Sequence, residues 1–235
     1  MTPAQIYAVL DATWPAFAST RHGAWLIREG RGGGQRAIAT TAIEAGGDIA
    51  VAEAAMAALG QPFLFMIRAG DDDLDAGLAA RGYVLHDPVV ICAAPVADLV
   101  DPDLSPMAAF AVWPPLSIAQ QLWLEAGLDQ GRLDVMGRAQ GPQTSILGRV
   151  QDRAAGVAFV ACYGDTAMLH ALEVMPAFRR QGTAGKIMRK AAAWAQDAGA
   201  QTLCLAVTTG NVPARALYAS LGMRVVGQYH YRKQG

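Results

Sequence analysis

Apolar residues recur with two different periods along this chain, and the clearest succession lies between residues 167 and 207. Residues 167–174 form a nearly uninterrupted apolar run of strand length, and Pro176 ends it because proline lacks a backbone donor. A second apolar run follows at residues 202–207. Between them, apolar residues recur at helical spacing, at Ile187, Ala191, Trp194 and Ala198. The pattern predicts a right-handed β-α-β unit with two parallel strands.

The pattern before residue 95 predicts a mixture of helices and strands. Helices are predicted at residues 6–17, 48–59 and 71–81, and strands at residues 24–28, 35–41, 62–67 and 83–94. The glycine-rich segment 29–34 lies between two strand-like stretches, and no helix start is evident after it. It therefore predicts a flexible hairpin connection rather than a phosphate site.

A segment rich in proline and aspartate, residues 95–106, separates two parts of the chain and is the best linker candidate. After it, the pattern predicts helices at residues 117–128 and 132–138 and strands at residues 144–150 and 155–162. A chain of 235 residues is long enough for two domains of about 100 residues each. We predict one domain at residues 1–103 and a second at residues 104–235.

The two halves resemble each other at an offset of 140 residues. The strand-like run 62–67 falls on 202–207, the small-residue helix 51–58 falls on 191–198, and residues 81–83 fall on 221–223. The halves are therefore predicted to be tandem copies.

The turn that follows the run 167–174 reads Arg179-Arg180-Gln181-Gly182-Thr183-Ala184-Gly185, and a helix starts inside it. The first N–H groups of a helix are unpaired and favour an anion. Small residues let a phosphate oxygen approach, and the arginines add positive charge. The turn predicts a pyrophosphate cradle, although neither the nucleotide P-loop pattern nor the dinucleotide fingerprint fits it.

Two motifs in this order resemble the GNAT superfamily of N-acetyltransferases. Arg179, Gly182 and Ala184 fit its loop pattern Arg/Gln-x-x-Gly-x-Gly/Ala. Residues 211–223 fit its second signature, Asn-x-x-Ala-x-x-Leu-Tyr-x-x-x-Gly-Phe, with Met223 as the one departure. The resemblance covers about residues 144–233.

A bacterial tandem subgroup of this family has a degenerate first half, and its early Trp-Leu-Ile-Arg strand and Tyr-His-Tyr-Arg ending are similar to residues 25–28 and 229–232. The resemblance implies an α/β fold with an α+β mixed sheet, made of two tandem GNAT-like domains. The C-terminal domain would be complete, with a β-α-β acyl-CoA-binding core. Because residues 39–45 lack the arginines and glycines of the cradle, and Asp71 and Leu78 stand opposite Asn211 and Tyr218, the first copy is expected to have lost cofactor binding.

The resemblance also implies roles for individual residues. Tyr218 matches the general acid, and the backbone N–H of Val174 matches the donor to the oxyanion. Asn211 would hold the strand end or the pantetheine amides, or simply cap its helix. The implied acetyl-CoA-binding set is Leu172, Val174, Arg179, Arg180, Gln181, Gly182, Thr183, Ala184, Gly185, Asn211 and Tyr218.

The general base is left open among Glu173, His170 and a water molecule. Glu173 and His170 are three residues apart, so strict alternation sends them to opposite faces unless a bulge intervenes. Glu173 is preferred because it precedes Val174 directly.

These features predict an N-acetyltransferase in which a primary amine attacks the thioester of acetyl-CoA directly. The acceptor stays open among small amines, amino acids, aminoglycoside-like compounds and protein N-termini. The alternative is a non-catalytic acyl-CoA-binding sensor or assembly module, which the degenerate first half would allow.

Composition narrows the class of protein. The formal net charge is −1 and no basic block occurs, which argues against a nucleic-acid partner. No secretory signal or membrane span is evident, so a soluble cytoplasmic protein is expected, as a monomer or a homodimer. Cys92, Cys162 and Cys204 lie in apolar runs without Cys-x-x-Cys spacing and are expected to be buried free thiols. No metal site is expected, because the acidic run 71–73 suits the first turn of a helix.

Overall fold

The computed structural model describes the whole chain from Met1 to Gly235. The first half contains α1 (Pro3–Thr13), β1 (Ala18–His22), β2 (Trp25–Glu29), α2 (Gln35–Ile38), β3 (Thr41–Ala42), α3 (Ile49–Ala58), β4 (Leu64–Arg68), α4 (Asp72–Ala80), β5 (Tyr83–Pro95) and α5 (Val96–Leu99). The second half contains β6 (Ala109–Val112), α6 (Ser117–Glu125), α7 (Gln130–Met136), β7 (Gln143–Val150), β8 (Arg153–Tyr163), β9 (Thr166–Val174), a 3-10 turn (Pro176–Phe178), α8 (Thr183–Asp197), β10 (Thr202–Thr208), α9 (Val212–Ser220) and β11 (Arg224–Gln234). No helix is long and apolar enough to cross a membrane.

Strands of both halves form one mixed sheet of eight strands, in the order β4-β11-β5-β10-β9-β8-β7-β6. A second, three-stranded sheet contains β1, β2 and β3. The pair β9 and β10 is parallel, with α8 as the connection between them, whereas every other neighbouring pair is antiparallel. The predicted parallel strands and the mixed α/β architecture are confirmed.

The two halves exchange strands at the centre of the sheet. Strand β11 of the second half pairs with β4 of the first, and β5 of the first half pairs with β10 of the second. Both pairs have the same register, because Arg68 lies opposite Tyr229 and the positions 140 residues away, Thr208 and Val89, also lie opposite each other. The sequence repeat is therefore matched by a structural repeat, and the halves share one sheet.

Alternate residues of the central strands face two different helix layers. Leu203 and Leu205 pack with Ile187 of α8 on one face of the sheet. On the other face, Cys204 packs with Ile6 of α1. The apolar faces of α6 and α7 also cover this second face, over β7 and β8. All three cysteines are buried free thiols, as expected.

Two predictions for the first half are wrong. Residues 35–41 are not one strand, because residues 35–38 form the short helix α2, which starts directly after Gly34. The glycine-rich segment before it is no flexible hairpin connection. It packs against α7, where a Cβ on Gly131 would lie 2.6 Å from a backbone carbon of Gly32.

The predicted linker is also part of the packed structure. Val96 and Leu99 of α5 are buried in the same cluster as α8, and Asp101 forms an ion pair with Arg189 at 3.1 Å. The domain boundary near Asp103 stays a prediction, and the core is continuous across it.

An ion-pair network joins α4 of the first half to the last strand of the second. His230 Nε2 and Arg232 Nε both lie 2.7 Å from Asp75 Oδ1, and Arg232 Nη2 lies 3.0 Å from Asp75 Oδ2. The hydrogen bonds from Arg232 are the largest cause that lowers the pKa of Asp75 from 3.8 to about 2. The carboxylate form of Asp75 is therefore stabilised in the folded protein.

We expect Asp75→Asn to lower the free energy of unfolding at pH 7 by about 1 kcal/mol, after allowance for solvent screening. Because the folded-state pKa is depressed, this stabilisation is present above about pH 4 and is lost as the pH falls toward 2. Urea unfolding at pH 7 and at pH 3 measures the difference. Asp73→Asn, an exposed neighbour on the same helix, is the control, and an equal loss there would contradict the assignment.

Candidate active site

A gap opens between the two parallel strands at their carboxyl ends. Pairing between β9 and β10 runs only from Thr166 opposite Thr202 to Leu169 opposite Leu205. Both strands continue beyond this point, to Val174 and Thr208 respectively, without pairing to each other. The gap exposes backbone groups and side chains of both strands from either face of the sheet.

A β-bulge shapes β9 at the edge of this gap. Between His170 and Glu173, β9 has two residues opposite a single residue of β8. Ala171 takes a left-handed conformation there, with φ +49°, and its carbonyl accepts a hydrogen bond from Trp123 Nε1 at 2.8 Å. The bulge breaks strict alternation, so His170 and Glu173 line the same cavity.

The bulge also determines where the N–H of Val174 points. Met175 N donates to Ala155 O at 3.0 Å, which makes this a hydrogen-bonded pair of the β8–β9 ladder. In an antiparallel ladder the next pair, Val174 opposite Gly156, turns its N–H and C=O groups outward. The N–H of Val174 therefore points away from β8, on the side of the gap.

The loop between β9 and α8 is concave and lined by backbone N–H groups. Arg180 and Gly182 both have left-handed backbones, with φ +61° and +77°. The first helical hydrogen bond of α8 runs from Lys186 N to Gly182 O, so the N–H groups of residues 183–185 precede it and lack helical partners. A Cβ on Gly182 or Gly185 would meet no atom within 4 Å. An anion therefore has open access to this helix start.

Several side chains of the loop are used to hold its shape. Thr183 Oγ1 donates to Phe178 O at 3.0 Å, and Gln181 Nε2 donates to Ala177 O at 3.0 Å. Arg179 Nε donates to Val174 O at 3.0 Å, while Arg180 is exposed. Arg180 makes no side-chain hydrogen bond, and the Nη groups of Arg179 also have no partner, so both guanidinium groups have donors available for an anion.

Tyr218 and Asn211 lie on α9, at the other edge of the gap. Asn211 Oδ1 accepts a hydrogen bond from Ala214 N at 3.2 Å, so the structure assigns it a helix-capping contact. Tyr218 is buried in the apolar cluster under α8, and Leu172 packs against that same cluster. Burial, with smaller effects of Cys92 and Glu173, raises the pKa of Tyr218 to about 12.

A cavity with a volume of about 400 Å³ lies on the opposite face of the sheet. Residues of both halves line it, including Trp14, Gln35, Arg36, Arg132, His170 and Glu173. The gap thus has an anion-binding loop and Tyr218 toward one face and a small cavity on the other.

Hydrogen bonds define the protonation of His170. Thr13 Oγ1 donates to Val9 O at 2.7 Å and lies 2.9 Å from His170 Nε2, so Nε2 is the nitrogen that carries the proton. His170 Nδ1 then accepts from Arg36 Nη1, at 3.0 Å. Burial and the charge of Arg36 hold the pKa of His170 well below its usual range. Both ring nitrogens are occupied and the ring is neutral, so this residue is a poor candidate for the base.

Glu173 has the properties of a base that faces the cavity. Burial raises the pKa of its carboxyl, and the nearby charges of Arg179 and Arg132 oppose that rise. No ion pair neutralises the carboxylate. A carboxylate with a raised pKa accepts a proton more readily than an ordinary surface glutamate.

Two arginines of the cavity, Arg36 and Arg132, escaped the sequence analysis. Arg36 lies on α2, in the segment interpreted as a strand, and Arg132 begins the segment predicted as a helix. The sequence contained one signal for the position of Arg36. The glycine-rich segment before Gln35 and Arg36 has a composition that is also found at helix starts.

Comparisons with known proteins agree with this geometry. Residues 112–223 match the profile of the Acetyltransferase (GNAT) family. A GCN5-related N-acetyltransferase from Kribbella flavida has a similar structure, with a TM-score of 0.74, 18% identity and coverage of 99% of this chain and 96% of that one. A functionally unknown conserved protein from Staphylococcus epidermidis has a TM-score of 0.70 at 12% identity and covers 100% and 98% of the two chains.

The chain is also similar to a tandem GNAT protein from the clavulanic acid biosynthesis pathway, with a TM-score of 0.55, 14% identity and coverage of 96% and 86%. A search of curated protein sequences gives no significant match. At these identities the structural similarity establishes the fold.

Proposed function

Because residues 112–223 match the profile of the Acetyltransferase (GNAT) family, we propose that this protein transfers the acetyl group of acetyl-CoA to a primary amine. The observation that carries the proposal is the gap between β9 and β10. It has an anion-binding loop beside it and a carboxylate-bearing cavity on the other face of the sheet. The donor and the acceptor would therefore reach the gap from opposite faces of the sheet.

The residues of the second half fit an acyl-CoA. The left-handed backbones at Arg180 and Gly182 and the free N–H groups of residues 183–185 suit its pyrophosphate, and the exposed guanidinium of Arg180 adds charge. The unpaired edges of β9 and β10 suit its amide-bearing arm. When bound, it would supply an acetyl thioester at the gap.

Three groups of the chain then serve the reaction. Glu173 accepts the proton of the attacking amine, directly or through a water molecule. The N–H of Val174 points toward the side where negative charge develops on the carbonyl oxygen and stabilises that charge. Tyr218 donates a hydrogen bond to the sulfur that leaves.

Tyr218 could either transfer its proton to the leaving sulfur or only donate a hydrogen bond to it, and the pKa of the phenol distinguishes the two roles. Its pKa is about 12, whereas a thiol has a pKa of about 8.5. Complete transfer of the phenolic proton to a thiolate would therefore be uphill. Hydrogen-bond donation without complete transfer avoids this cost, so Tyr218 is best described as stabilising the thiolate.

Thiol release from acetyl-CoA, measured with and without a pool of small amines, tests the function. We expect release that depends on the amine, together with an acetylated amine detected by mass spectrometry. Tight binding of acetyl-CoA without any amine-dependent release would instead favour the non-catalytic binding module.

We expect Tyr218→Phe to lower kcat by about 10- to 100-fold, the effect of one lost hydrogen bond to a charged group, and to leave the Kd for CoA nearly unchanged. Steady-state kinetics and isothermal titration give the two quantities. Tyr163→Phe removes a hydroxyl from an exposed tyrosine on the same sheet and should change neither. Unchanged turnover in Tyr218→Phe would remove this residue from the mechanism.

A further inference from the structure

The cavity contains an unusual balance of charged side chains. Arg36, Asp87, Arg132 and Glu173 all line it. Asp87 Oδ2 lies 3.4 Å from His86 Nε2, which gives this carboxylate a partner when the imidazole is protonated. Neither arginine forms an ion pair, and nor does Glu173. Arg36, Arg132 and Glu173 therefore have no ion-pair partner, and Asp87 has one only when His86 is protonated.

The guanidinium of Arg36 is fixed in place by neutral groups. Its Nη1 donates to the neutral His170, its Nε is buried without any hydrogen-bond partner, and its charge lies 5.8 Å from the ring centre of Trp14. An arginine charge that is partly buried without a carboxylate is costly for the free protein. Its planar set of donors is matched to a carboxylate. The arrangement is that of a site prepared for an anion.

The positive charge of Arg36 and the negative charge of Glu173 are close enough for one small molecule to contact both. Arg36 contacts His170, which is three residues before Glu173 on β9, and three strand residues span at most about 10 Å. The bulge between them shortens this distance further. An amine beside Glu173 and an anion beside Arg36 can therefore belong to the same acceptor.

We propose that the acceptor is a small amine that also carries a carboxylate, that is, an amino acid. This inference rests on the proposed acetyltransferase function. Glu173 faces the amine that is acetylated, and Arg36 binds the carboxylate, while Arg132 adds positive charge to the same cavity. Arg36 comes from α2, so the first half of the chain supplies the group that selects the acceptor.

Cavity size and charge separate this class from the other acceptors. At about 400 Å³, the cavity is near the lower end of the range of about 300–1,000 Å³ for small-molecule sites, which suits a single amino acid. A polyamine or an aminoglycoside would place additional positive charge beside two unpaired arginines. Such acceptors are disfavoured.

The test compares three pools of acceptors under identical conditions. One contains the common amino acids with short ω-amino acids, the second their carboxamides, and the third the corresponding decarboxylated amines. The amine of a carboxamide is less basic than that of a free amino acid, so intrinsic reactivity at pH 7.5 favours the amide pool. We expect the amino-acid pool to give the higher kcat/KM by about 10- to 100-fold, the effect of one charge-assisted bond pair.

Arg36→Met tests the residue itself. We expect kcat/KM for the preferred amino acid to fall by about 10- to 100-fold, mainly through KM, while turnover of its decarboxylated amine is retained. Retained turnover also reports that the variant is folded. Arg138→Met removes a nearby arginine that does not line the cavity, and it should leave the preference unchanged.

The outcomes separate the inference from the function on which it rests. Turnover of amides or decarboxylated amines at least equal to that of amino acids would overturn the inference and leave the acetyltransferase function intact. An Arg36→Met enzyme with full preference for the amino acid would overturn the role of Arg36. No turnover with any pool would overturn the proposed function, and the inference with it.

Discussion

Replacement of Glu173 by glutamine is expected to lower kcat/KM for acetyl transfer by about 10²- to 10⁴-fold, the usual effect of removing a general base. Glutamine keeps the shape of the side chain and cannot take a proton. Burial raises the pKa of Glu173, which means that the folded protein stabilises the charged carboxylate less well than water does. The neutral amide is therefore tolerated, and the loss of activity should come without a loss of stability.

The pH dependence of kcat/KM provides an independent test of Glu173 as the base. A base acts only when it is deprotonated, so kcat/KM of the native enzyme falls as the pH drops through the pKa of Glu173. Because burial shifts that pKa upward from 4.5, the acidic limb should lie at a higher pH than for an exposed glutamate. In Glu173→Gln this limb should disappear. Initial rates between pH 4.5 and 8.5 measure it.

A matched control is available on α6. Glu125 is exposed at the end of that helix and forms no ion pair, so Glu125→Gln should keep both the rate and the pH profile. If Glu173→Gln retained the native rate, a water molecule without a carboxylate partner would be the remaining base. His170 would still be excluded by its neutral, doubly hydrogen-bonded ring.

The parts of the fold that the sequence predicted are those with strong local signals. The run 167–174, the helical spacing after Gly185 and the run 202–207 became β9, α8 and β10, because each buries a continuous apolar face. The loop 179–185 was predicted as an anion site from small residues at a helix start, and it has the open, left-handed geometry that such a site requires. Its role in binding stays a proposal.

The parts that the sequence did not predict depend on contacts between distant segments. Gly32 has close backbone contact with Gly131, about 100 residues away, and this contact fixes the glycine-rich segment against α7. Local composition could not distinguish that arrangement from a flexible connection. Once the segment is fixed, α2 follows it and brings Arg36 to His170. The cavity that Arg36 and Glu173 line therefore could not be predicted from either half alone.

The bulge in β9 also depends on a contact with a distant segment and could not be predicted from local sequence. Its left-handed residue is Ala171, which carries none of the glycine or asparagine signal that such a conformation usually has. The hydrogen bond from Trp123 to its carbonyl stabilises the bulge from another helix. Strict alternation along the strand would place His170 and Glu173 on opposite faces, and the bulge brings both side chains to the same cavity.

Substitution of Gly182 by leucine is expected to weaken acetyl-CoA binding by about 10- to 100-fold, the loss of one to two charge-assisted hydrogen bonds. Gly182 has φ +77°, and a Cβ there would meet no atom within 4 Å, so a bulky side chain would take up open space at the start of α8. Leucine would also strain the backbone there, since side chains rarely adopt this conformation. Isothermal titration with acetyl-CoA and with CoA measures both affinity and stoichiometry.

Gly164 separates the effect of strain from the effect of blocking the loop. It has φ +60°, equally open surroundings, and a position at the turn between β8 and β9, at the opposite end of β9 from the loop. Gly164→Leu should carry a similar backbone cost and bind acetyl-CoA normally. Equal weakening in both variants would mean that strain alone explains the result, and the loop would lose its assignment.

The number of acetyl-CoA sites per chain, measured by titration of the native protein, also shows whether one or both copies bind the donor. In the first half, residues 39–45, which are equivalent to the loop 179–185, contain β3, and α3 starts only at Ile49, so no helix starts within that segment. We therefore expect one acetyl-CoA per chain, abolished or weakened by Gly182→Leu. Two sites would show that the first copy still binds the donor. One site would agree with a first copy that no longer binds the donor. That copy would instead help to form the proposed acceptor cavity, through Arg36 and through β5, which pairs with β10.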